Sequence, residues 1–310
     1  MIKSYFKIAR FDHWFKNIFV LPGFLFSYAL IGEIDFEYDF LFKIIIGLIG
    51  IGFIASANYT INEYLDAEFD RFHPIKKDRA GAKGELKINL VIIQYLLLVI
   101  LGLAISLFFV NRAFAYINIV FLIMGVLYNV KPFRTKDKPF IDVLSESINN
   151  PIRFLLGWVI ISPYIFPPTS ILFSYWFGGA FLMAIKRLSE YRSINNPELA
   201  GKYRSSFKFY NENNLLLSSF FYALNSVFFL GIFLIKYRIE FLLSFPIVSA
   251  LFTIYLHLGL MENSITQTPE KLYKSKSFLI FCILSLIIIL TLYFVDINFL
   301  NILINPINFK

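Results

Sequence analysis

A single cysteine, Cys282, and only three histidines occur in 310 residues. That excludes an intrachain disulfide, a thiolate metal cluster and a CxxC redox pair, and leaves Cys282 the part of an inert buried thiol. Charge is scarce too: Asp, Glu, Lys and Arg make up 16% of the chain, against 58% hydrophobic and 19% aromatic residues. This is well outside the balance of a soluble domain. No stretch rich in proline, glycine or serine divides the chain and no repeat of fixed period runs through it, so it reads as one domain over residues 1–310. The apolar run behind the basic N-terminus lacks a small-residue cleavage signal and reads as a retained membrane span.

What the chain has in quantity is apolar sequence. Segments near 17–32, 41–65, 86–108, 113–130, 141–162, 170–190, 214–236, 241–261 and 276–296 are long enough to cross a bilayer, which takes roughly 17 to 25 residues each. The pattern predicts an all-α polytopic membrane protein of nine transmembrane helices. Loop charge supports the count. Lys3, Lys7, Arg10 and Lys16 precede the first span; Arg71, Lys76, Lys77, Arg79, Lys83 and Lys87 follow the second; Lys131, Arg134, Lys136 and Lys138 follow the fourth. Lys186, Arg187, Arg192, Lys202, Arg204 and Lys208 close or follow the sixth, and Lys271, Lys274 and Lys276 precede the ninth.

If every span crosses, these groups share one side, whereas Glu33, Asp35, Glu37 and Asp39 lie on the other. The positive-inside bias then places the N-terminus and the basic loops in the cytoplasm, in the inner membrane if the cell is bacterial. It also explains the net charge of +8 without a nucleic-acid partner.

One charged cluster breaks the pattern, because its carboxylates arrive first. Asn62-Glu63-Tyr64-Leu65-Asp66-Ala67-Glu68-Phe69-Asp70 ends the second span, and Arg71, Lys76, Lys77 and Arg79 follow at once. On a helix, Asn62, Glu63, Asp66 and Asp70 fall within an arc of about 100°, while Glu68 points elsewhere. Like charges this close need a counter-ion. Hard oxygen ligands suit Mg²⁺, which takes one or two carboxylates and completes its shell with water and phosphate oxygens. Arg71, Lys76 and Arg79 would then neutralise a diphosphate. The plainer reading of each single lysine is a topology signal.

The cluster resembles the first signature of the UbiA superfamily of intramembrane prenyltransferases, NDxxDxxxD at a helix end in a nine-helix bundle. Asn62, Asp66 and Asp70 are in register with it, and Glu63 replaces the first Asp. The resemblance implies that Asn62, Glu63, Asp66 and Asp70 hold Mg²⁺. Prenyl-diphosphate users of that superfamily have a second Asp-rich motif, and no DxxxD occurs at the end of the sixth span, which reads Lys186-Arg187-Leu188-Ser189-Glu190-Tyr191-Arg192. A basic pair sharing a helix face with one glutamate suits an anionic acceptor such as a lipid phosphate.

Asp12-His13-Trp14-Phe15-Lys16-Asn17, the run from Asp70 to Lys76 with Arg79 and Gly84, and Lys186-Arg187 with Glu190 are similar to the subgroup that makes polyprenyl-phosphate phosphoribose. That resemblance implies 5-phosphoribosyl diphosphate as donor and decaprenyl phosphate or a relative as acceptor, a reaction of the cell envelope. Asp66, Asp70, Lys186 and Arg187 are the expected catalytic residues. Lys16, Arg71, Lys76, Arg79, Tyr128, Lys131 and Glu190 are the expected substrate contacts. Trp14 is expected as an interfacial anchor, His13 and His73 as acid/base candidates, and Arg153 as an intramembrane cation facing the cavity. Two rivals stand beside this reading. One is a prenyltransferase acting on an aromatic acceptor such as 4-hydroxybenzoate; the other is a transporter whose acidic face binds a coupling ion. The sequence leaves the oligomeric state open.

Overall fold

The computed structural model describes residues 2–31, 38–237, 239–262, 264–267, 272, 274–303, with side chains omitted at a few helix ends. Every regular element among them is helical. Glu33, Asp35, Glu37 and Lys271, used above for topology, lie outside the described residues. The chain separates into two compact units, Met1–Pro167 with Ile194–Asn211, and Pro168–Ser193 with Glu212–Lys310.

The first unit holds α1 (Ile2–Ala9), a 3-10 segment (Phe11–Val20), α2 (Leu21–Ile31), α3 (Tyr38–Asp70), α4 (Ile88–Ile105), α5 (Arg112–Asn129), α6 (Ile141–Ser147), α7 (Asn149–Ile161) and α9 (Pro197–Tyr203). The second holds α8 (Thr169–Ile194), α10 (Glu212–Tyr237), α11 (Phe245–Leu260) and α12 (Lys276–Phe294).

Among the described residues, seven helical stretches are long and apolar enough to cross a membrane: Lys3–Ile31, Leu41–Asp70, Ile88–Val110, Arg112–Asn129, Thr169–Ile194, Glu212–Tyr237 and Ile239–Leu260. Leu96, Leu97, Ile100 and Leu101 of α4 and Phe220, Leu224 and Phe228 of α10 are exposed, as a lipid-facing surface requires. The chain is an integral membrane protein.

The expected nine long helices differ in two places. The segment 141–162 is interrupted at Ile148, because Pro151 has no N–H to bond the carbonyl of Ser147. The last apolar helix gives only the shorter stretch Lys276–Leu292.

Two features of the first unit position its polar end. Gly23 of α2 and Gly157 of α7 let the two backbones touch: a Cβ on Gly23 would fall on the carbonyl of Phe154, and one on Gly157 on the carbonyl of Val20. Such close approach is the usual membrane solution for helix packing. Helix α3, with 33 residues, is about 50 Å long at 1.5 Å per residue. That exceeds a hydrocarbon core of about 30 Å, so its polar last turns can stand clear of it. Trp14, expected as an interfacial anchor, packs inside the first unit. Its indole lies over Gly52 and donates from Nε1 to Ser56 Oγ at 2.9 Å, which fixes the N-terminal segment to α3.

Candidate active site

The last two turns of α3 meet three different neighbours, and each takes a different polar side chain. Asn62 donates from Nδ2 to Asn129 Oδ1 (2.5 Å) at the end of α5 and to Asp66 Oδ2 (3.1 Å). Glu63 turns the other way, to Arg10 Nη2 at 2.7 Å. Asp66 and Asp70 lie between them and line one cleft with Phe69, Arg134, Lys136, Asp137, Tyr203 and Arg204. The helix thus divides its polar face: one edge, at Asn62, ties to α5, the other, at Glu63, ties to the N-terminal segment, and Asp66 and Asp70 stay on the cleft.

Two of the cleft's three cations come from the turn after α5, and the third, Arg204, follows α9. Asp66 Oδ1 accepts from Arg134 Nη2 at 3.0 Å and forms a short ion pair with Lys136. Lys136 Nζ also donates to Asn129 Oδ1 (2.8 Å). Arg134 donates from Nη1 to the carbonyl of Asn129 (3.0 Å) and from Nε to Asp137 (2.8 Å), with its guanidinium 4.7 Å from the ring centre of Phe69. Both cations are buried, Lys136 being 3% exposed. Burial pushes the Lys136 ammonium down to about 8, with Asp66 pulling it back up and Arg134 adding to the fall.

Asp70 pairs with Arg79 at 2.7 Å. For Arg79 burial disfavours the charge, but Asp70 and Glu63 outweigh it and raise its pKa. The loop that carries Arg79 folds back beneath α3, where Gly81 sits against the backbone of Glu63 with no room for a side chain.

Several expected contacts are placed by the same loops. Lys76 makes a short hydrogen bond to the hydroxyl of Tyr203, a cleft residue. Tyr128 donates to Glu146 (2.9 Å) and accepts from Arg204 (3.4 Å). His73 is a loop brace: its Nδ1 accepts from the backbone of Ile75 (3.1 Å) and Lys76 (3.2 Å). Arg71 is one as well, donating from Nε to the carbonyl of Ala82 at 3.1 Å. Lys131 is exposed and is not among the residues of the cleft. Lys16 lies 5.8 Å from the ring centre of Tyr59, and the rings of His13 and Tyr59 are 5.4 Å apart. Arg153 packs over Phe121 (4.8 Å) and donates to the carbonyl of Asn149 (3.4 Å). In the second unit Arg187 and Glu190 are buried and pair at 3.5 Å across one helical turn, with Lys186 beside them in sequence.

Sequence reasoning missed Arg134, Lys136, Asp137, Tyr203 and Arg204. It counted three of them as topology signals and chose Lys131, three residues past Tyr128. The available signal was Asn129, an amide at the end of an apolar helix, followed by cations and an acid in Arg134-Thr135-Lys136-Asp137.

Among the described residues no three Asp, Glu, His or Cys side chains are grouped so as to hold one metal ion. Glu63 is therefore not assembled with Asp66 and Asp70. Two carboxylates one helical turn apart on a common cleft, rimmed by cations, still fit a hard divalent ion that shares its shell with a phosphate ligand.

Three comparisons bear on this arrangement. A structure of a UbiA homologue from Archaeoglobus fulgidus bound to DMAPP and Mg²⁺ superposes with a TM-score of 0.69, covering 94% of this chain and 100% of that one at 20% identity. Decaprenyl-phosphate phosphoribosyltransferase of Mycobacterium tuberculosis is 29% identical over 191 residues, 59% of this chain and 59% of that protein. An uncharacterised protein, y4nM of Sinorhizobium fredii, is 27% identical over 196 residues, 63% of this chain and 36% of that protein. The matches thus span less than two thirds of these curated relatives' lengths. The model of the UbiA prenyltransferase family matches residues 18–283, a range that contains the polar end of α3, the Arg134–Asp137 turn and the buried Arg187–Glu190 pair. With the all-helical membrane fold and the acidic helix end in register, this chain belongs to the UbiA prenyltransferase family.

Proposed function

We propose that the chain is an intramembrane transferase that uses Mg²⁺ to move phosphoribose from 5-phosphoribosyl diphosphate to a polyprenyl phosphate, releasing diphosphate. The observation that carries this reading is the cleft itself. Asp66 and Asp70 open on it with Asp137, and Arg134, Lys136 and Arg204 line it with them; with Mg²⁺ on the carboxylates, the three cations suit a donor bearing three phosphates. The lack of a second Asp-rich motif and the mycobacterial relative's name support the same donor.

Asp66 and Asp70 are the residues that would hold Mg²⁺, which when bound neutralises the diphosphate as a leaving group. Arg134 and Lys136 neutralise Asp66 in its absence and are placed to turn to phosphate oxygens, where charge-assisted hydrogen bonds are strong. Arg79 holds Asp70 in its rotamer. In the reaction the bond from the anomeric carbon to the diphosphate oxygen breaks, positive charge develops on the sugar, and a phosphate oxygen of the lipid forms the new bond. An ionised phosphate needs no general base, in keeping with the bracing role of His73. Lys186, Arg187 and Glu190 keep the role that their sequence suggests, recognition of the anionic acceptor.

In this reading both units form one transferase over residues 1–310. The helices of 141–161 and 276–292 also cross, giving nine spans, and the N-terminus and basic loops face the cytoplasm. Membranes containing the protein, given labelled phosphoribosyl diphosphate, polyprenyl phosphate and Mg²⁺, should form a labelled lipid. Consumption of an isoprenyl diphosphate with an aromatic acceptor would establish the prenyltransferase instead.

A further inference from the structure

Asp142, at the start of α6, is fully buried and has no part in the chemistry above. Its carboxylate gathers donors from a single short segment. Oδ1 accepts a short hydrogen bond from the Tyr210 hydroxyl, and Oδ2 accepts from Ser206 Oγ at 3.2 Å and from Arg204 Nη1 at 3.3 Å. Tyr210 OH in turn accepts from the backbone N–H of Phe140 at 2.6 Å. A buried carboxylate is costly unless it is hydrogen-bonded, and here both oxygens are, Oδ1 by one donor and Oδ2 by two.

Tyr210 and Ser206 would by themselves tie the segment to α6. The third donor is different, because Arg204 also lines the cleft with Asp66 and Asp70. The same Nη1 lies 3.4 Å from the Tyr128 hydroxyl, itself held by Glu146. Two anchors on one nitrogen fix the direction of a long side chain that otherwise loses much rotamer freedom on binding a ligand. The neighbouring Tyr203 reaches the same cleft and holds Lys76.

We propose that Asp142 is a positioning residue that presents the Arg204 guanidinium to a phosphate group of the donor. This rests on the reading of the cleft as a diphosphate site. Asp142 touches no substrate; it acts through Arg204, and the pair sets donor affinity.

The test uses the full chain in detergent or nanodiscs and titrates magnesium pyrophosphate, with thermal melting recorded for every variant. The wild type should bind. Arg204→Ala and Asp142→Asn should each weaken binding about tenfold or more, and the double variant should bind no more weakly than Arg204→Ala alone, since the two changes remove one interaction. A purely structural role for Asp142 predicts a lowered melting point with unchanged affinity in folded Asp142→Asn, and that result overturns the proposal. Arg204→Ala tests it even if Asp142→Asn fails to fold: wild-type affinity in Arg204→Ala overturns it while the diphosphate reading stands. Absence of binding in the wild type overturns both.

Discussion

Glu63 and Asp66 are adjacent on one helix face and differ in what they can do. Glu63 is committed to Arg10 at 2.7 Å, whereas Asp66 lies on the cleft with Asp70. Glu63→Gln should therefore keep its Mg²⁺ dependence within about threefold of wild type and lose about 1–3 kcal/mol of stability, the cost of taking the counter-charge from the partly buried Arg10 guanidinium. Asp66→Asn should fold and lose transfer by about 100-fold or more, the scale for removing one preorganised electrostatic group from a reacting centre. Initial rates against Mg²⁺, with melting curves for both variants, separate the two roles. Lys136 and Lys131 make a second contrast. Lys136 is buried on Asp66 and Asn129, while Lys131 is exposed. Lys136→Met should raise the donor KM about tenfold or more, from the roughly 1.5–3 kcal/mol carried by a hydrogen bond to a charged group, and Lys131→Met should leave it unchanged within twofold.

At the scale of elements, the close approach of α2 and α7 is a matter of stability, apart from the cleft at the end of α3. Gly157→Val would place its side chain on the carbonyl of Val20, and overpacking of this kind costs about 1–3 kcal/mol. The variant should melt lower while donor KM in the remaining folded protein is unaltered, because the α2–α7 seam holds no cleft residue. Apolar length was enough to locate α3 and α5 to within a few residues, since the bilayer leaves an exposed backbone no other solution, whereas the span expected over 141–162 comes as two helices, α6 and α7. The carboxylates at the end of α3 were legible for a related reason: ionisable groups beside an apolar span are costly and mark functional sites. The Arg134–Asp137 turn was not. A lysine that marks the cytoplasmic side and a lysine that fills a cleft have the same sequence signature, and only the fold of the turn distinguishes Lys136 from Lys131. Nor could helix phase alone show that Glu63 faces Arg10, because that partner comes from a segment 53 residues away.

For the whole molecule, the proposed chemistry requires a cleft able to take a highly anionic donor at the polar end of a lipid-facing bundle. Asp66, Asp70 and the surrounding cations meet that need, and the exposed apolar helix surfaces suit a polyprenyl acceptor that never leaves the bilayer. The most direct measurement is incorporation of label from 5-phosphoribosyl diphosphate into lipid by membranes carrying the protein, with polyprenyl phosphate added. The proposed transfer predicts a labelled lipid that requires Mg²⁺ and disappears in Asp66→Asn. No labelled lipid under those conditions, with isoprenyl diphosphate consumed in its place, would contradict it.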